Sequence, residues 1–167
     1  MQLTTIESPI GPLSIAARGR RVCLLHFGAD EDYILKQLGS WYPNVSVEPH
    51  PDPAGAIGRL AEYFDGRLDA LDDVEVELNG TAFQQRVWKA LRGIRAGSTS
   101  TYAALAAGVG APSAVRAVGA ANGANPVAVI VPCHRVIGSN GRLTGYGGGL
   151  DRKEWLLRHE GAAVGLF

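Results

Sequence analysis

The segment Pro132-Cys133-His134-Arg135 sets a thiol, an imidazole and a guanidinium on consecutive residues. A thiolate is the reactive form of cysteine, yet an ordinary thiol with a pKa of about 8.5 is mostly protonated at neutral pH and needs a base beside it. His134 is the nearest candidate in sequence. Neighbours on extended backbone point apart, so the imidazole would reach the sulfur only through a bridging water. A buried carboxylate would then orient the ring, as the third member of a catalytic triad does. Glu160, in His159-Glu160 at the end of the last helical segment, is a candidate source. Taken alone, a single Cys-His pair is more often structural than catalytic.

The surrounding pattern says what would hold this thiol. Residues 127–131, Val-Ala-Val-Ile-Val, read as a buried strand that runs directly into Pro132-Cys133. Upstream, Thr81 and Gln84 form a capping box for a helix to about Leu91, with Phe83, Val87, Trp88 and Leu91 on one face. Tyr102 to Ala107 predicts a short helix, and Ser113 predicts the cap of another through about Ala121. Two short helices across a tight turn match a helix-turn-helix, whose second helix enters a nucleic-acid groove. That helix is rich in small residues, with Arg116 as its one long cation. Arg116 would reach into a groove or simply extend into water. Downstream, Asn140-Gly141 is a hairpin signal, Gly145-Tyr146-Gly147-Gly148-Gly149 is a loop of low bulk, and Asp151 is expected to cap a last helix through His159.

The first half reads differently. Leu3–Ile6, Leu13–Ala16 and Val22–Phe27 are separated by turn clusters and predict a β-meander. Helices are expected over 30–38 and 56–64, and Val74–Leu78 alternates as a last strand before Asn79-Gly80. The net charge of zero conceals an asymmetry: residues 1–80 carry 6 Lys/Arg against 13 Asp/Glu, and residues 81–167 carry 10 against 3. A basic half fits a polyanion-binding module, although two docking surfaces of opposite charge would look the same. Two cysteines 110 positions apart, with no Cys-x-x-Cys, argue against a redox pair, a zinc cluster or a disulfide scaffold. A cysteine hydrolase would need an oxyanion hole and an independent histidine, and neither has support in the sequence. No apolar run reaches membrane length, and no secretory signal pattern opens the chain, so an intracellular, cytoplasmic protein without membrane contact is expected.

Several blocks together bring a resemblance. Ile130-Val131-Pro132-Cys133-His134-Arg135-Val136-Ile137 resembles the active-site signature of the O6-alkylguanine-DNA alkyltransferases. Thr81-Ala82-Phe83-Gln84-Gln85-Arg86-Val87-Trp88, Arg116-Ala117-Val118-Gly119, Asn125-Pro126-Val127, Gly145-Tyr146-Gly147-Gly148-Gly149 and Trp155-Leu156-Leu157-Arg158-His159-Glu160-Gly161 follow in the family's order. Ile6-Glu7-Ser8-Pro9-Ile10-Gly11-Pro12-Leu13 is similar more loosely. Alkyltransferase-like relatives that only bind damage lack the acceptor cysteine, which this chain has at Cys133.

The resemblance implies an α/β protein of two parts. Residues 1–78 would form an α/β scaffold with a small, ribonuclease H-like sheet, and residues 79–167 a mostly helical, winged helix-turn-helix domain. It implies direct reversal of DNA damage in one irreversible turnover, the alkyl group passing from guanine O6 (and thymine O4) to Cys133. His134 would deprotonate Cys133 through water, Glu160 would orient His134, and Tyr102 would protonate the leaving base. Asn125 would brace the turn before the acceptor segment. The base must leave the duplex to reach a buried sulfur. Arg116 would fill the gap from the minor groove, with Ser113, Ala117, Gly119, Ala120 and Ala121 along the DNA-facing helix. Tyr146, Gly147, Gly148, Val136 and Asn122 would wall the pocket. The implied partner is double-stranded DNA containing O6-alkylguanine, met by a protein monomeric when free, with cooperative loading on DNA open. No cofactor is implied. Some relatives hold zinc in the first half; Cys23, His26 and His50 are the only candidates here, and no metal is expected.

Overall fold

The computed structural model of the chain describes residues 1–163, and its contacts divide into two compact units. The first comprises Met1–Asn79 and Pro126–Ile130, the second Gly80–Asn125 and Val131 onward.

In the first unit, β1 (Gln2–Ile6), β2 (Leu13–Arg18) and β3 (Arg21–Phe27) form the expected antiparallel meander. Strand β4 (Glu48–Pro49) joins parallel to β1, giving the order β3-β2-β1-β4. Strand β2 is covered on both faces, since Leu13, Ser14, Ile15, Ala16 and Ala17 are all fully buried. The one polar side chain among them is satisfied: Ser14 Oγ donates to Gly28 O at 2.7 Å and lies 2.8 Å from Thr5 Oγ1. Helix α1 (Glu31–Trp41), capped by the Asp30 carboxylate, buries Ile34 and Leu38 against Ala16, Cys23 and Leu24. Helix α2 (Ala56–Phe64) buries Ala56, Leu60 and Tyr63.

Two expected strands, one read from alternation and one from a buried apolar run, are reduced to single bridges. Val74–Leu78 pairs only at Val76 with Val22. Residues 127–131 are buried as expected, but only Val127 pairs, with Leu25, before the chain turns. Ile130 N–H closes onto Ala128 O at 2.8 Å, and Val129 takes φ 69°, a conformation costly for a β-branched residue. An apolar run reports burial, whereas strand geometry also requires a partner edge to continue the ladder.

The second unit is built on α3 (Ala82–Leu91), α4 (Tyr102–Gly108), α5 (Val115–Gly123) and α6 (Leu150–His159), with a two-stranded parallel pair β5 (Ser100–Thr101) and β6 (Val136–Ile137). The Thr81–Gln84 capping box is formed in both directions, and Val87, Trp88 and Leu91 are buried. Trp88 Nε1 donates to Ala121 O at 2.8 Å, which bolts α3 to α5. Helices α4 and α5 form the helix-turn-helix. Ser113 is exposed and does not cap α5; Ala114 occupies that position without a side-chain bond. Asp151 lies inside the first turn of α6, and Gly149 takes the cap position, φ 90°. Around Asn140-Gly141 the chain turns, with Gly138 N–H donating to Arg142 O at 2.9 Å, but no second strand follows.

Gly80 shows how tightly this unit closes. A Cβ placed there would sit 2.4 Å from Trp88 Cη2 and 2.5 Å from Cζ3, in a ring that cannot retreat while its indole N–H holds Ala121. Gly80→Ala should therefore cost about 1–3 kcal/mol of overpacking. Urea unfolding followed by tryptophan fluorescence should show a lowered midpoint; an unchanged midpoint would mean the indole has room to shift.

Candidate active site

Cys133, His134 and Arg135 occupy one 3-10 turn, closed by Arg135 N–H to Pro132 O at 3.1 Å. The Cys133 thiol is thus held by a tight turn and not by the end of a strand. All three side chains are buried, as is Glu160 at the C-terminus of α6. Glu160 accepts from His134 Nε2 through Oε2 at 2.9 Å. Arg135 grips the same carboxylate with two bonds of 2.8 Å, Nε to Oε1 and Nη2 to Oε2, and its Nη1 donates to Ile94 O at 2.6 Å.

This arrangement decides protonation. Burial alone would raise the Glu160 carboxyl, but hydrogen bonds from Arg135 and His134 outweigh it and hold the group well below the usual carboxylate range. An ionised carboxylate only accepts, so His134 must carry its proton on Nε2. Its other nitrogen, Nδ1, is buried with no hydrogen-bond partner among the described residues. Burial keeps the imidazole neutral against the pull of Glu160, with Arg135 and Lys153 adding to the effect. The result is a basic lone pair with nothing bound to it, next in sequence to the thiol.

Burial raises Cys133. Hydrogen bonding from Asn125 and Tyr146 and the positive charge of Lys153 act in the opposite direction. Lys153 is fully buried; Nζ donates to Thr144 O at 2.9 Å and lies 5.9 Å and 6.0 Å from the ring centres of Tyr102 and Tyr146. Burial pushes its ammonium down to about 8, while the charge of Cys133 favours keeping it protonated. Sequence reasoning missed Lys153, whose position on the solvated-looking face of α6 gives no periodic signal. It also gave Arg135 no role, although the signature contains it.

The other expected site residues fall into three groups. Asn125 Nδ2 donates to Val131 O at 2.7 Å, and Asn122 Nδ2 to Cys133 O at 3.4 Å, so both asparagines adjoin the Cys133 turn. Tyr146 lies by Lys153, the following Gly147 is exposed and Gly148 buried, and Val136 is buried in β6. Arg116, Ala117 and Ala120 are exposed on α5, opposite its buried Val118, Ala121 and Asn122. Ala121, expected to face DNA, points inward beneath Trp88 instead. Gly119 lies over Tyr102, where an added Cβ would still be 3.8 Å from the ring.

Cys23 gives the contrast. Burial and the negative Glu77 push it up to about 11, and its Sγ donates to Ala16 O. It is a core thiol. Among the described residues, no three His, Cys, Asp or Glu side chains gather as a metal site.

Glu160→Gln would leave the Arg135 guanidinium buried without a counter-charge, at a cost of about 3–5 kcal/mol. Because the folded carboxyl titrates below its unfolded value, the stabilisation it supplies is complete above about pH 4.5 and fades as pH falls further. Wild type should lose stability through that acid range more steeply than Glu160→Gln, as measured by urea unfolding at a series of pH values. Parallel slopes would show that the carboxylate is not ionised by this pairing.

Comparison with known proteins agrees along the whole chain. Residues 1–78 match the family pattern described as the ribonuclease-like domain of 6-O-methylguanine DNA methyltransferase, and residues 82–162 match its DNA-binding domain. A methylated-DNA–protein-cysteine methyltransferase of Salmonella typhimurium is 47% identical over 159 residues, 93% of each chain. One of Mycolicibacterium paratuberculosis is 46% identical and covers 100% of this chain and 99% of its own. The crystal structure of Mycobacterium tuberculosis OGT in complex with DNA superposes with a TM-score of 0.81 at 47% identity, over 96% of this chain and 93% of that one. With the buried Cys133 turn, its neutral histidine and a helix-turn-helix in one chain, the conclusion is that it belongs to the O6-methylguanine-DNA methyltransferase family.

Proposed function

We propose that this protein repairs DNA by moving the alkyl group of O6-alkylguanine onto Cys133, once per molecule. The observation that carries the proposal is the His134 imidazole: buried, neutral, anchored through Nε2 to Glu160, with Nδ1 left open to receive a proton. Through a bridging water, Nδ1 takes the Cys133 proton. The sulfur lone pair forms the S–C bond as the C–O6 bond breaks, and the electron pair of that bond passes to guanine O6. Tyr102, beside Lys153, supplies a proton to the departing base. The imidazolium then formed is stabilised by Glu160. The thioether has no route back to a thiol, so the protein is consumed.

Delivery of the base belongs to α5. The nucleotide turns out of the stack because the sulfur is buried. Exposed Arg116 fills its place, and Ala117 and Ala120 let the helix backbone approach the minor groove. Alkylated thymine is a second, weaker substrate. Both cysteines are free thiols, and no described helix is long and apolar enough to cross a membrane. These fit action in the cytoplasm, on the nucleoid.

Cys133→Ala should bind alkylated duplex DNA without removing the alkyl group. Arg116→Ala should slow single-turnover transfer from duplex DNA by tenfold or more, since ~1.4 kcal/mol of the unstacking cost is no longer offset. Its effect on a single-stranded substrate should stay under about threefold, because no gap needs filling there. Equal losses on the two substrates would remove the intercalating role.

A further inference from the structure

The basic half of the chain carries more positive charge than α5 uses. Between Glu77 and Asp151 the sequence holds no acidic residue. Arg86 and Lys89 lie on the exposed side of α3, about one turn apart, and Arg95 is exposed just beyond the helix end. None of the ion pairs among the described residues involves any of these three cations. The Arg86 guanidinium sits 5.6 Å over the Phe83 ring. Stacking uses the flat face of that group and leaves its edge N–H donors for an anion. Like charges three residues apart on a helix repel, so the row is unfavourable by itself and is relieved by an anionic partner.

The packing of α3 limits which anion this is. Its other side buries Val87, Trp88 and Leu91, and Trp88 Nε1 holds Ala121 O of α5. At about 100° per residue, Arg86 lies about 160° around the helix from Trp88, and Lys89 about 100°. The pair faces away from α5, so a duplex seated along Arg116, Ala117 and Ala120 does not cover it. From Arg86 to Arg95 the chain advances roughly 14 Å at about 1.5 Å per residue, and a duplex presents a phosphate charge about every 1.7 Å of its axis. One stretch of duplex backbone can therefore meet all three cations. We propose that the exposed face of α3 binds the phosphate backbone of a second DNA duplex while α5 holds the one under repair. One molecule then bridges two DNA segments. The contact reads charge and not sequence. It rests on the reading of α5 as the seat of the repaired duplex, and it supplies the next segment for search before the first is released.

The test is a bridging measurement with undamaged DNA. A duplex fixed on beads is saturated with protein and washed, and a second, fluorescent duplex is then added. Wild type should retain the second duplex. The triple variant Arg86→Gln, Lys89→Gln, Arg95→Gln should hold it about tenfold more weakly or worse, because three phosphate contacts are lost. The variant Arg86→Lys, Arg95→Lys keeps the charge and should retain it as wild type does. Both variants should fill the fixed duplex and remove alkyl from a saturating O6-methylguanine duplex at the wild-type rate. Failure of wild type to retain the second duplex would overturn the proposal. So would equal retention by the glutamine variant, the result expected if two protein copies paired through another surface. A glutamine variant that fills the fixed duplex poorly, or transfers slowly, would put these cations on the repaired duplex and overturn it as well. Wild type that bridges undamaged duplexes but removes no alkyl group would support the bridging face and overturn the alkyl-transfer reading instead.

Discussion

The second unit depends on one buried carboxylate shared between two bases. Glu160 would be costly to bury as an anion on its own. Arg135 meets it with a bidentate grip, which neutralises the charge and fixes the plane of the carboxylate. That leaves His134 a partner to orient it without requiring it to become cationic. Burial keeps the imidazole neutral, and the guanidinium next in sequence adds to that effect against the pull of Glu160. Since Glu160 ends α6 and both its partners lie on the Cys133 turn, the same contacts pin that turn to the last helix.

Electrostatics around the sulfur follow from this. Burial opposes a thiolate, and the one fully buried ammonium in the unit, Lys153, counters that from α6 while holding Thr144 of the neighbouring loop. In the proposed transfer, alkylation would turn the sulfur into a neutral thioether and remove any anion the lysine could face. Cys23 shows the opposite environment, a thiol packed in a sheet core beside a negative Glu77 and donating to Ala16 O. Two cysteines of one chain are in this way given different fates by their neighbours.

Much of this was legible in the sequence where local rules decide the outcome. Thr81 and Gln84 form their capping box, Trp88 is buried, and the first three strands lie where turn clusters separate them, because caps and turns need only neighbouring residues. His134, on the turn that also carries Cys133, pairs with Glu160. Three failures share a cause in partners distant in sequence. Residues 127–131 have the composition of a strand but lack an edge to continue along. Ala121 belongs to Trp88 and not to the exposed face of α5. Lys153 reads as a solvated helix residue until the loop at Thr144 and two tyrosine rings close around it. Ser113 and Asp151 have the chemistry of caps, but the backbone starts each helix one or two residues away from the expected register.

The central claim is that Cys133, and no other group, ends up carrying the alkyl carbon. Peptide mass analysis after incubation with an excess of duplex DNA containing O6-methylguanine addresses it directly. One methyl mass should appear on the peptide holding Cys133, saturating at a single group per molecule while the Cys23 peptide keeps its original mass. Methyl on Cys23, or lesion consumed beyond one equivalent with Cys133 unmodified, would contradict the account.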